Sequence, residues 1–263
     1  MHHSPNRWFS LLRPLVALIL VLFGVACQEP SKAHTLDVFA ASSLTEAFAD
    51  LGQAFEAAHP DTDVRLNFAG SQILRLQIDQ GADADVFASA NHSHMQALID
   101  SGRVVDSHIF THNELVVIVP RSNPAQIHRF DDLLRARRLV IGNKNVPAGR
   151  YARQVLGRTA AVGPDFEARA LSRVVSEESN VRLVRAKVEL GEADAAIVYR
   201  SDAVASERVK TVPIPAGINV RADYPMARVD GSGDREQVER WFAFVSSPEG
   251  QAILARHGFG VDR

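Results

Sequence analysis

The stretch LDVFAASSLTEAFADLGQAF, residues 36–55, begins as a strand and ends as a helix. Leu36–Ala40 is a short apolar run, and Leu44–Ala58 carries an amphipathic helical pattern. Ser42 and Ser43 occupy the turn between them. Glu46 lies three residues beyond Ser43, which makes a capping-box pattern. The two hydroxyls therefore have two candidate jobs: to close the helix, or to meet something negative at its mouth.

The same grammar repeats along the chain. Leu36–Ala40, Val64–Phe68, Val86–Ala88, Leu115–Val119, Leu139–Ile141 and Ala195–Tyr199 read as strands. Leu44–Ala58, Ile73–Gln80, His94–Ser101, Tyr151–Leu156, Val181–Leu190 and Gln237–Val245 read as helices. Strand followed by helix, repeated, predicts an α/β fold with mixed, largely parallel sheets and a ligand crevice at the carboxyl ends of strands. ELVVIVPRSNP, residues 114–124, is a continuous apolar strand stopped by prolines, and it suits a crossing between two lobes. A return crossing is expected near INVRADYPMA, residues 218–227. The expected lobes are 35–113 with 222–263, and 114–221. A short echo, VFAAS at 38–42 and NFAGS at 67–71, places a small hydroxyl-bearing turn after a strand twice.

The 263 residues carry a formal charge of −2 and 46% hydrophobic side chains, enough for one or two well-formed cores. The near-neutral balance supplies no basic footprint for nucleic acid. With one cysteine, Cys27, the chain has neither an internal disulfide nor a cysteine-based zinc site. Residues 1–26 differ from the rest. Arg7 and Arg13 precede PLVALILVLFGVA, a run too short to span a bilayer comfortably, which reads as a secretory signal. Cys27 follows Gly24-Val25-Ala26 and resembles a bacterial lipobox, with glycine at the position that usually holds leucine. The expectation is a lipid anchor on Cys27, a tether over 27–34 and a mature chain outside the cytoplasm; cleavage after Ala33 would leave it free.

Helix N-termini present unpaired N–H groups and the positive end of the helix dipole, so they can receive anions. Four are well composed here. Ser43 precedes the first helix, and Ser71 follows Gly70, where the missing side chain admits a ligand to the backbone. Pro147 at a first helical position leaves the amides of Ala148 and Gly149 free. Ser179 or Asn180 caps the helix that begins with Val181.

Taken together, VFAASSLTEAF, FAGSQILRLQIDQGADADVFASA, LVVIVP, NVPAGRYARQVL, NVRLVRAKVELGEADAAIVYRSDA and RHGFGV resemble the periplasmic molybdate-binding proteins of ABC importers. The likeness runs from about Leu36 to Val261. It implies a two-lobed Venus-flytrap, or periplasmic-binding-protein, fold that closes over one tetrahedral oxyanion, molybdate or tungstate. It implies a monomer without a cofactor or catalytic residue, and an inner-membrane ABC permease as partner. Carried to matching positions, the oxyanion would be held by the hydroxyls of Ser43, Ser71 and Tyr199 and the amides of Ala148 and Val181. Gly70 stands where many relatives have serine, and EESN before Val181 replaces a common acidic pair.

The chemistry of these donors agrees. Molybdate at neutral pH carries no proton, so it needs donors only, and hydroxyls and amides provide them. Phosphate usually keeps a proton and favours a carboxylate to receive it; none of the five positions is acidic. Sulfate shares molybdate's charge and shape and differs in size alone. Two rival readings remain. His92 and His94 in NHSHM, with Asp85 and His108, suggest zinc. Ser43 or Ser71 could be a nucleophile if a histidine and a carboxylate converged on it, although no G-x-S-x-G elbow is present. Tyr199, at the end of an apolar strand, could equally be packing at the edge of the core.

Overall fold

The computed structural model describes residues 1–2 and 34–260. The rest of the expected signal, Cys27 and the tether up to residue 33 lie outside the described residues, as does Val261.

In chain order the elements are β1 (His34–Ala41), α1 (Thr45–Ala58), β2 (Thr62–Ala69), α2 (Ser71–Asp79), β3 (Val86–Ala88), α3 (His92–Asp100), β4 (Val104–Pro120), β5 (Leu139–Gly142), α4 (Pro147–Gly157), α5 (Phe166–Leu171), β6 (Val174–Glu178), α6 (Val181–Glu189), β7 (Ala195–Tyr199), α7 (Arg200–Val204), β8 (Val209–Pro213), β9 (Arg221–Val229), α8 (Arg235–Ser246) and α9 (Pro248–Arg256). Each strand read from the sequence lies within one of these, and each helix matches one with at most one residue of overrun at an end. The fold is a mixed α/β arrangement. Strand order is β2-β1-β3-β9-β4-β7-β5-β6, with β8 paired to β4.

Pairing is parallel at the two ends of this order, where helices connect the strands: β1 with β2 and β3, and β5 with β6 and β7. It is antiparallel in the middle, where the chain crosses over. β4 makes the outward crossing. Its residues 104–114 pair with β9, and its residues 115–120 pair with β7 and β8. The apolar run Leu115–Val119 is buried throughout, as a strand covered on both faces must be. β9 makes the return. The β4–β9 register slips between Val105 and His108, where Asp106 takes φ 56°, the bulge that bends the long strand.

The alternation of β1 feeds two cores. Leu36, Val38 and Ala40 face a large cluster with Phe48, Phe55 and Trp241, whose rings meet edge-on at 5.3–5.8 Å. Phe39, one residue out of phase, joins a second cluster with Leu74, Ile78, Phe87, Met95 and Leu98 beneath α2 and α3. With side chains anchored on both faces, β1 holds its end, and the turn after it, in a fixed place.

Candidate functional site

Three helices begin just beyond the carboxyl ends of parallel strands: α2 after β2, α4 after β5 and α6 after β6. Their first residues, with the 3-10 turn Ser42–Leu44 after β1 and the end of β7, enclose one small cavity. Its wall is Ala41, Ser42, Ser43, Gly70, Ser71, Ala90, Val146, Pro147, Ala148, Val181 and Tyr199. The room left for the centre of a water-sized sphere is about 10 Å³, which suits a single compact guest. No charged side chain lines it. All five residues proposed from the sequence meet here.

Ser43 does not do what its local pattern suggests. The cap of α1 is Leu44, with no side-chain cap, so the expected capping box with Glu46 is absent. The 3-10 turn starts the helix one residue late, which puts Glu46 out of register. The Ser43 hydroxyl instead lies 2.9 Å from the Tyr224 hydroxyl. Glu46 turns to Arg182 at 2.5 Å and Arg185 at 3.5 Å on α6.

Ser71 is the first residue of α2 behind Gly70 and is likewise no cap. Its Oγ accepts the Ala90 N–H at 3.1 Å, leaving its own proton for another acceptor. Ala148 and Val181 stand at the first turns of α4 and α6, where backbone N–H groups have no acceptor within the helix. Asn180, not Ser179, caps α6 by accepting the Leu183 N–H at 3.1 Å. Gly149 is not in the cavity wall; it packs against the end of β5.

Tyr199 is 1% exposed, and its hydroxyl is buried without a hydrogen-bond partner. Burial, first among several causes, pushes its pKa well above the usual phenol value, so it remains an O–H donor. An orphaned buried donor in a cavity wall costs free energy unless a guest satisfies it. Beneath it, Asp202 accepts the Tyr199 N–H at 3.2 Å. Burial raises the Asp202 carboxyl to about 7, opposed by Arg185, so the charge it holds near the cavity is reduced at neutral pH.

The two sides of the cavity are tied together across its rim. Gln72 Nε2 donates to the Ser179 carbonyl at 2.7 Å, and Arg150 donates to Ser93 Oγ at 2.7 Å. His94 Nε2 lies 2.9 Å from the Asn145 carbonyl oxygen. A side chain at position 70 would collide with the Gln72 amide at 2.6 Å and the Ser179 carbonyl at 2.8 Å. Glycine there leaves room for the bridge that Gln72 makes.

The residues of the rival readings have other partners. His94 faces Asn145, His92 lies 4.0 Å from Asp223, His108 meets the Asp106 carbonyl, and Asp85 accepts the Asp37 N–H. Among the described residues, no group of three or more His, Cys, Asp or Glu side chains is placed to hold a metal. The partner of Ser43 is a tyrosine and that of Ser71 a backbone amide, so neither forms a serine–histidine pair. Sequence reasoning missed Tyr224, which is fully buried on β9 and distant from Ser43 along the chain.

Residues 36–260 match the family described as bacterial extracellular solute-binding protein. The chain is 34% identical to the molybdate-binding protein of Mycobacterium tuberculosis, over 96% of this chain and 98% of that one. It is 33% identical to the molybdate-binding protein of Escherichia coli, over 97% and 99%. The fold is similar to the periplasmic molybdate-binding protein of Azotobacter vinelandii, with a TM-score of 0.75 at 20% identity, covering 87% of this chain and all of the other.

Proposed function

The chain belongs to the bacterial extracellular solute-binding proteins, and from that premise we propose that it captures molybdate outside the cytoplasm for an ABC importer. The cavity supports the reading through one observation above all: a buried, unpartnered Tyr199 hydroxyl in a wall without charged side chains. A bare tetrahedral dianion supplies the missing acceptor. Ser43, Ser71 and Tyr199 would donate O–H groups, and Ala148 and Val181 N–H groups, each strengthened because the acceptor is charged. The α2, α4 and α6 N-termini add favourable dipoles without bringing a counter-charge.

In this reading residues 35–113 with 222–263 form one lobe and 114–221 the other, hinged on β4 and β9. The rim bonds Gln72–Ser179 and Glu46–Arg182 would form on closure. Tungstate, of nearly the same size, would bind as well. A lipid on Cys27 would keep a monomeric chain near its permease.

The test is a thermal-shift panel on the chain lacking residues 1–26, with molybdate, tungstate, sulfate, phosphate and zinc. A ligand at one hundred times its Kd adds about 2.7 kcal/mol, a rise of roughly 5–10 °C for a chain of this size. Molybdate and tungstate are expected to give it. A shift with sulfate alone would move the reading to sulfate, and a shift with zinc alone would overturn it.

Tyr199→Phe separates donor from packing. The ring contacts to Tyr151 and Tyr224 stay. Molybdate affinity is expected to fall by roughly ten- to hundredfold, from loss of one hydrogen bond to a charged acceptor. The unliganded protein should melt no lower than the parent, since the lost hydroxyl had no partner. Isothermal calorimetry beside a melting curve reads both.

A further inference from the structure

The strands that bring donors to the cavity also have a far end. β5, β6 and β7 run parallel, so Leu139, Val174 and Ala195 stand together, away from the cavity. β4 runs against β7, and β8 against β4, which puts Pro120 and Val209 at the same end. Backbone bonds join the flanking residues into one row. Arg121 N–H donates to the Arg208 carbonyl at 3.0 Å, Asp194 N–H to that of Arg138 at 2.9 Å, and Leu139 N–H to that of Arg173 at 2.9 Å. At about 4.8 Å per strand the row spans roughly 20 Å.

The row is basic. Arg121, Arg129, Arg137, Arg173, Arg208 and Lys210 are exposed, and among the described residues none of them is paired with a carboxylate. Most neighbouring acids are spent elsewhere. Asp194 accepts the Arg137 and Arg138 N–H groups at 2.9 and 3.0 Å and the Arg138 guanidinium at 2.7 Å. Asp132 accepts the His128 and Arg129 N–H groups and meets Arg135 at 3.2 Å, and Glu192 is held by Lys187. The rest of the molecule has the opposite sign. Residues 114–221 hold 18 Lys and Arg against 12 Asp and Glu, whereas residues 34–113 with 222–260 hold seven against 17. The amino-terminal ends of β1, β2 and β3 are acidic, with Asp61, Asp63, Asp83, Asp85 and Asp230.

We propose that the far end of β8, β4, β7, β5 and β6 is a contact surface for the anionic headgroups of a phospholipid membrane. The surface lies away from the cavity and does not depend on which ion the cavity takes. A flat anionic plane suits a row of unpaired cations, each of which strengthens binding by roughly fivefold when near it. Leu190, 65% exposed between α6 and β7, adds an apolar side chain that can enter the headgroup layer. Phe130 and Phe166 are buried, so these rings offer no stacking platform for single-stranded nucleic acid. A lipid on Cys27, as proposed above, would draw on the acidic end, where β1 begins at His34. The membrane repels that end and attracts the other, so the molecule lies along the surface instead of standing on its anchor.

The experiment sediments the unacylated chain lacking residues 1–26 with vesicles of phosphatidylcholine, alone or with about one-third phosphatidylglycerol. Three cations in contact give an expected hundredfold or so stronger partition onto the anionic vesicles at low salt. At about 1 M salt, where the Debye length is about 3 Å, that preference should vanish. Arg137→Glu, Arg173→Glu and Lys210→Glu together are expected to reduce partition to the phosphatidylcholine level. Arg65→Glu, Arg235→Glu and Arg256→Glu together change net charge equally but lie outside the row, and should cost less than about threefold. Molybdate affinity, read by calorimetry, should match the parent in both variants.

Equal partition onto the two vesicle types overturns the proposal, as does an equal loss in the two triple variants. If the row variant does not fold, the parent's lipid and salt comparison decides alone. Self-association at low salt without vesicle binding, lost in the row variant, would assign the row to the acidic end of a second copy instead. A parent that binds anionic vesicles but no tetrahedral dianion keeps this surface and loses the proposed cargo; the reverse result loses the surface alone.

Discussion

A chain carrying Ser43→Ala and Ser71→Ala together is expected to bind molybdate roughly 10²- to 10⁴-fold more weakly than the parent, because two hydrogen bonds to a charged acceptor, each worth about 1.5–3 kcal/mol, are removed. The loss is that large because no charged side chain in the wall can replace them. The cavity has no lysine or arginine whose long side chain could swing in, and it is too small to recruit a chain of waters. The fold should survive. Neither serine caps a helix, so α1 and α2 do not depend on them. Some stability will go, since Ala90 N–H and the Tyr224 hydroxyl each lose a partner. Each orphan costs about 1–3 kcal/mol. Calorimetry on protein shown by circular dichroism to be folded reads the affinity, and binding at the parent's level would show that the cavity is not where the oxyanion sits.

These serines also mark how far the sequence could be read. The strand before Ser43 and the helix after it were legible because each is decided within a dozen residues, by apolar runs and periodicity. The same holds for Leu115–Val119 and Ala195–Tyr199, which are buried almost completely. β6 and β8 were not legible. Val174–Glu178 alternates half-buried and exposed positions and ends in two glutamates, and Val209–Pro213 includes an exposed lysine. β6 closes one end of the strand order and β8 pairs only with β4, and such strands carry polar residues and little pattern.

The site divides in the same way. Four of its five donors stand at the mouth of a helix, where caps, proline and small residues leave a local signature. That they converge on one cavity is not a local fact; it followed from a resemblance spanning the chain. The capping box was misread because Ser43 and Glu46 were judged as neighbours. Their actual partners, Tyr224 and the α6 arginines, lie far away in sequence. No periodicity encodes a contact of that kind.

Gly149→Ala is expected to be among the damaging single methyl groups that can be added to this protein. Gly149 lies in the first turn of α4, one residue after Ala148, and that turn is pressed against the end of β5. A Cβ there would stand 2.1 Å from the Gly142 carbonyl oxygen and 2.3 Å from that of Asn143. Both obstacles are backbone, so no side chain can rotate away; the helix must lift off the strand. Overpacking of this kind costs about 1–3 kcal/mol or more, a fall in melting temperature of roughly 2–12 °C. The displacement also carries the Ala148 amide away from the cavity, and molybdate affinity is expected to drop at least about tenfold even where the protein remains folded. Gly157→Ala, at the other end of the same helix, is the control. Its Cβ would meet only the Glu167 carboxylate at 3.7 Å, an ordinary contact. Alanine there should be neutral or stabilise by up to about 1 kcal/mol, because it limits the unfolded chain and favours the helix. Opposite signs at the two ends of α4, read by melting curves with and without molybdate, would establish that the helix is pinned to β5 at its mouth. Equal effects would mean that the closeness of Gly142 and Gly149 has no part in holding the donor.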